Sequence, residues 1–145
     1  MRTSRIATVL GGMAAATLLT IGQAAAVTVE VDVAGDTQWP AGTSPSACAS
    51  ADRAQGCFAH VGDWFSILDR QSDGHSAVIV WRMVDSQSVV TRQGTIWNNG
   101  GADWWRYQNK NLTEYDSVEF KVCAGEWSSK AIVNGTCSGY VHAEI

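Results

Sequence analysis

Nowhere does this 145-residue sequence gather its positive charge. Ten Lys and Arg residues are scattered singly among fourteen Asp and Glu, for a net charge of −4. An acidic chain without a basic patch is a poor partner for nucleic acid or an anionic membrane, so neither is expected. Long apolar runs are equally scarce. The one present, Ile6 to Ile21, is broken by Gly11-Gly12 and stops short of a bilayer span. Close-set CxxC pairs are missing, which leaves a zinc site without its usual ligand spacing. His60, His75 and His142 are the only histidines and never recur at ligand spacing, so no metal centre is expected. No motif demands a cofactor. Gly-x-Ser-x-Gly is absent, and Cys137-Ser138-Gly139 offers Ser138 no local partner to activate it. The fourteen acids read mainly as solvated surface, so no catalytic residue is assigned. Amphipathic helical periodicity, internal repeats and low-complexity tracts are missing as well.

What is present begins with an export signal. Arg2 and Arg5 precede the apolar run, and Ala24-Ala25-Ala26 supplies small residues for a peptidase, so cleavage is expected after Ala26. Residues 1–26 are therefore read as a signal peptide and 27–145 as one secreted domain, a soluble monomer. Removing 26 of 145 residues leaves 119, enough to bury roughly two-thirds of the unfolded surface. Losing Arg2 and Arg5 leaves eight basic residues against fourteen acids, a balance of −6. Cys48, Cys57, Cys123 and Cys137 all lie in the exported part, and an even count there means disulfides. Three pairings are possible. Cys48–Cys57 with Cys123–Cys137 is favoured, because each closes a short local loop.

The strand signals centre on Gly62 to Arg82. Trp64-Phe65-Ser66-Ile67-Leu68 and Ala77-Val78-Ile79-Val80-Trp81 flank a polar stretch carrying Asp73-Gly74, which reads as a β-hairpin with a long loop. Ala77, Ile79, Trp81 and Met83 share one face while Val78, Val80 and Val84 share the other, as in a strand buried on both sides. Val27 to Val33 alternates as an edge strand, valine inward, with Glu30 and Asp32 outward to discourage stray pairing. Residues 34–55, with Pro40 and Pro45, lose all periodicity and read as a long surface loop. Gly94 fits a bulge or a bend. Val118, Phe120 and Val122 alternate inward, and Asn134-Gly135 is a short hairpin signal. Were 117–123, 130–133 and 136–145 a flat meander, Cys123 and Cys137 would stand about 9–10 Å apart, too far for a disulfide. Either the middle segment leaves the sheet or its flanks meet another way. The class is all-β: an antiparallel sandwich or small barrel with two disulfides.

Asp69, Gln71, Asp73 and Gly74 match the early positions of a calcium loop. Its bidentate Glu position falls on Val80, so a backbone turn is the better reading. Seven tryptophans are the compositional oddity. Trp64 and Trp81 read as core. Trp97, Trp104, Trp105 and Tyr107 surround Asn98-Asn99-Gly100-Gly101 and alternate with polar groups including Arg106. Exposed rings beside amides suit the apolar face and hydroxyls of a sugar.

Gly62-Asp63, Asp73-Gly74-His75-Ser76-Ala77-Val78, Asn111-Leu112-Thr113-Glu114, Val122-Cys123 and Cys137 resemble a broad group of small secreted actinobacterial proteins. The resemblance implies a β-sandwich of unassigned function behind a signal peptide. Trp105-Arg106-Tyr107 is also similar to the triplet that proteinaceous α-amylase inhibitors present in a turn, although theirs lies inside a disulfide loop. The leading expectation is a secreted, extracellular, non-catalytic binding module whose ligand the sequence does not identify, with a polysaccharide as the candidate, held through Trp97, Trp104, Trp105, Arg106 and Tyr107. A secreted inhibitor, bound to an enzyme, comes second and an enzyme third.

Overall fold

A computed structural model describes residues 26–145, so the signal peptide expected over residues 1–26 lies, apart from Ala26, outside the described residues. Ten strands and no helix make up the described chain. They are β1 (Val29–Val33), β2 (Ala47–Ser50), β3 (Ala54–Ala59), β4 (Trp64–Asp69), β5 (Ser76–Val84), β6 (Val90–Asn98), β7 (Trp105–Asn109), β8 (Ser117–Glu126), β9 (Ala131–Ile132) and β10 (Val141–Glu144). The larger sheet runs β1-β6-β5-β8-β10, with β9 also on β8, and the smaller runs β2-β3-β4-β7. Every pairing is antiparallel except β1 with β6. Beyond β1 the chain leaves the larger sheet. Ala34 N–H still donates to Trp97 O, but Gly35 exchanges two backbone hydrogen bonds with Tyr107 of the smaller sheet. That step closes one side of the sandwich as a barrel would.

The core lies where the two inner faces meet. Phe58, Phe65 and Ile67 of the smaller sheet pack on Ile79, Trp81, Met83, Ile96, Val118, Phe120 and Val122 of the larger. Phe65 sits at the middle, its ring 5.0 Å from Phe58, 5.6 Å from Phe120 and 6.2 Å from Trp81. β5 is buried along one face and only in part along the other, where Val78 is buried but Val80 and Val84 are half-buried. Ile79, Trp81 and Met83 enter the main core, and Val78 joins a second small one with Trp97 and Cys123.

The expected hairpin of Trp64–Leu68 with Ala77–Trp81 does not form. β4 pairs with β3 and β7, whereas β5 pairs with β6 and β8. The 70–75 connection therefore arches from one sheet to the other. Two strands with apolar inner faces bury more by packing face to face than by lying side by side. Its turn is still built on local polar groups. Asp69 Oδ1 accepts from Gln71 N–H at 3.1 Å, Asp73 Oδ1 accepts from His75 N–H at 3.0 Å, and Gly74 takes φ +87°. Asp73 also pairs with Arg53.

β1 is an edge strand, as its charges indicate, but its faces are inverted. Val29, Val31 and Val33 are about half exposed. Glu30 and Asp32, in register with Gly94 and Ile96 of β6, take the less exposed face. Lys110, its side chain only 5 % exposed, explains the inversion. Its Nζ donates to Glu30 at 2.5 Å and Asp32 at 2.7 Å while lying 4.8 Å from the Trp81 ring centre. Arg92 adds a two-pronged contact with Glu30 at 2.9 and 3.1 Å. A buried cation needs its counter-charges, and that need outweighs burying three valines at an edge. Gly94 marks no bulge: β6 runs straight through it, and the irregularity falls between Met83 and Val84 of β5. A Cβ at Gly94 would lie 2.6 Å from Glu30 O and 3.0 Å from Trp81 Nε1, so the site holds glycine for space.

Both disulfides form as favoured, Cys48–Cys57 and Cys123–Cys137. The second resolves the spacing problem because Asn134-Gly135 does not turn a hairpin between two side-by-side strands. β9 and β10 follow each other down the same edge of β8. Thr136 Oγ1 bonds Ala124 and Val133 around that kink, and Ser138 N–H donates to Val122 O. Cys137 thus lies beside Cys123. The expected 34–55 loop is shorter than its composition implied, since β2 and the start of β3 fall inside it. Backbone pairing across the Cys48–Cys57 bridge makes strand of a stretch with no hydrophobic period.

Candidate functional site: an aromatic groove on the smaller sheet

Side chains on the outer face of the smaller sheet follow from the pleat. Phe58, Phe65 and Ile67 point inward, so their neighbours Cys57, Ser66, Leu68 and Trp64 point outward. β7 pairs with β4 so that Trp105 stands opposite Leu68 and Tyr107 opposite Ser66. Both rings therefore share that outer face, next to the Cys48–Cys57 bridge and Gln55 of β3. Trp39, from the connection that follows β1, packs on Tyr107 with ring centres 5.6 Å apart and planes at 61°. Between these groups lies a groove of about 330 Å³, lined by Trp39, Pro45, Cys48, Gln55, Cys57, Ser66, Trp105 and Tyr107. None of the eight is an acid or a base.

The five residues assigned from sequence are not brought together as one face. Trp105, 37 % exposed, and Tyr107 are in the groove. Trp104 is 70 % exposed in the connection just before β7. It lies outside the strand, so strand alternation does not set the side it faces. Trp97 is a correction. It is fully buried on the other sheet, under Trp127 at 5.7 Å, with its Nε1 donating to Thr95 Oγ1 at 2.9 Å. The 126–137 segment closed by Cys123–Cys137 covers it, and sequence periodicity carries no sign of that cap. Trp97 belongs to the second core and not to any ligand face.

Arg106 also departs from expectation. The triplet Trp105-Arg106-Tyr107 lies in a strand, so Arg106 faces away from its two neighbours. Its guanidinium pairs with Asp36 and lies against Gly100, where a Cβ would collide with it. Asn98 is buried and committed to structure, its Nδ2 donating to Trp104 O at 3.1 Å and its Oδ1 accepting from Gly100 N–H at 3.0 Å. Trp81 is core, as read, but Trp64 is half-buried on the outer face. Sequence reading missed Trp39, Gln55 and Ser66. The available signal was the alternation of β3 and β4, which places Gln55 and Ser66 on the side opposite Phe58 and Phe65.

The remaining candidates are plain. Among the described residues, no group of three or more His, Cys, Asp or Glu is placed to hold a metal ion. Asp69 is buried, and desolvation pushes its carboxyl above the usual aspartate range, with Asp73 and Asp103 adding to the effect. No protein-family model, curated protein or solved structure matches the chain.

Proposed function

We propose that the chain is a secreted, non-catalytic binding module whose ligand is a glycan, held on the outer face of the smaller sheet. One observation carries this reading: Trp39, Trp105 and Tyr107 converge on an open groove that also carries the half-buried Gln55 amide. Flat rings take the apolar faces of pyranoses, and amide and hydroxyl groups meet their hydroxyls. Two disulfides, and the lack of a helix able to cross a membrane among the described residues, support an exported protein. An inhibitor acting through Arg106 finds no such support, because that side chain is turned from Trp105 and Tyr107 and paired with Asp36.

Co-sedimentation with insoluble chitin, cellulose and bacterial cell-wall glycan tests the proposal. At least one should retain the protein, and Trp105→Ala should release it. The substitution should shift stability by less than about 1 kcal/mol, against roughly 3–5 for a core ring. Failure of these polymers and of soluble glycan chains alike to retain the protein, or an alanine variant that binds as well, would sink it.

A further inference from the structure

We infer that the groove takes one uncharged glycan chain at a time and cannot lie flat on a crystalline polysaccharide surface. The inference rests on the binding-module reading and names its ligand class. It starts from the path of the chain after β1. Gly35 is tied to β7 at one edge of the smaller sheet, and β2 begins at Ala47 on the opposite edge. Three strand spacings separate those edges, about 14 Å. Residues 36–46 must cover that distance, and Trp39 on Tyr107 and Pro45 in the groove show that they cross the outer face. They form a strap over the sheet and not a detour around it.

The strap gives the groove a wall. Trp105 and Tyr107 rise from strand β7, and Trp39, on the strap, meets Tyr107 edge-on at 61°. Coplanar rings on an unobstructed sheet could all touch a flat crystal face together. Rings that are not coplanar, one of them carried on a strap across the sheet, cannot all touch a flat crystal face together, and they leave room for a single chain between them. The wall is anchored from below: Arg106, on the inner side of β7, pairs with Asp36 three residues before Trp39.

Charge selects further. The groove lining holds no Asp, Glu, Lys, Arg or His. A polyuronate would lose carboxylate hydration there with no cation to compensate, whereas a neutral chain would lose little. Binding that depends on stacking and neutral hydrogen bonds should also be indifferent to salt.

Affinity electrophoresis of the full exported protein in gels containing soluble neutral chains (hydroxyethyl cellulose, xylan, glycol chitin) or polygalacturonate tests this. At least one neutral polymer should retard the protein, unchanged by added salt, and polygalacturonate should not. The same soluble chain should elute protein from the insoluble form. Trp39→Ala should weaken retardation roughly tenfold, the scale of one lost aromatic stack, with Trp105→Ala as a second variant and melting curves confirming that both fold. Retention on crystalline solids alone, indifferent to soluble chains, would overturn the single-chain inference and leave the binding module intact. Salt-sensitive retardation by polygalacturonate would do the same for the neutral class. No retention by any polymer, soluble or insoluble, would remove the binding-module reading itself.

Discussion

Single residues in this protein are often shaped by something on another strand. Gly94 is the clearest case, since its missing side chain lets Glu30 O and the Trp81 indole come close. A methyl group there would press on backbone, which cannot swing aside as a side chain can. Gly94→Ala should therefore cost about 1–3 kcal/mol, the usual range for overpacking, seen as a lower denaturant midpoint at unchanged slope. Arg106 acts at a distance too. Its guanidinium faces away from the groove, yet through Asp36 it fixes the strap that carries Trp39. Arg106→Ala should weaken glycan retention while the protein still folds. Arg106→Lys, which keeps a cation for Asp36, should restore most of it. Equal losses in both variants would mean that Arg106 meets the ligand itself.

At the level of elements, the reliable signals were those set by burial on one or both faces. β5 and β8 could be read from their valine, isoleucine and aromatic alternation because the core on either side enforces it. β1 alternates just as cleanly, and its faces came out reversed. Alternation shows that two faces differ, but only Lys110, eighty residues from Glu30, shows which of them turns inward. The partners of β4 were illegible for a related reason. A turn with Asp73-Gly74 serves a hairpin or an arch equally well, and only packing between sheets decides. The groove was half legible. Trp105 and Tyr107 share a strand face by spacing alone, whereas Trp39 reaches them through a strap with no period of its own. The disulfide loops show the same division of labour. Cys48–Cys57 links strands that already pair, while Cys123–Cys137 also holds the cap over Trp97. Chain entropy alone makes each worth roughly 3 kcal/mol. Replacing Cys123 and Cys137 with alanine should cost more than replacing Cys48 and Cys57, and should make Trp97 emission quenchable. Quenching that stayed unchanged would show that the cap stands without its bridge.

Across the whole molecule, the closed side of the sandwich is held by charge. Glu30 and Asp32 of β1, Arg92 of β6 and Lys110 after β7 form one cluster over the end of the core at Trp81. Acid should open the fold there first. The Arg92 hydrogen bond, with Lys110 assisting, holds the Glu30 carboxyl below its ordinary value of 4.5 despite some desolvation. A folded value below the unfolded one means that Glu30 contributes fully above about pH 4.5. Its contribution then drains away as the pH falls through the folded value. Asp69 has the opposite sign. Desolvation raises its carboxyl above 3.8, so its charge penalises the fold at neutral pH, and protonation relieves that penalty on acidification. The two effects compete over the same acid range. Glu30→Gln should lower the melting temperature at pH 7 and flatten its fall below pH 4.5. Asp69→Asn should leave neutral stability equal or higher and steepen that fall, because the compensating gain is gone. Melting temperatures of the three proteins from pH 7 to pH 3 decide the matter: a Glu30→Gln curve parallel to the wild type would place the acid-sensitive contact elsewhere than the β1 edge.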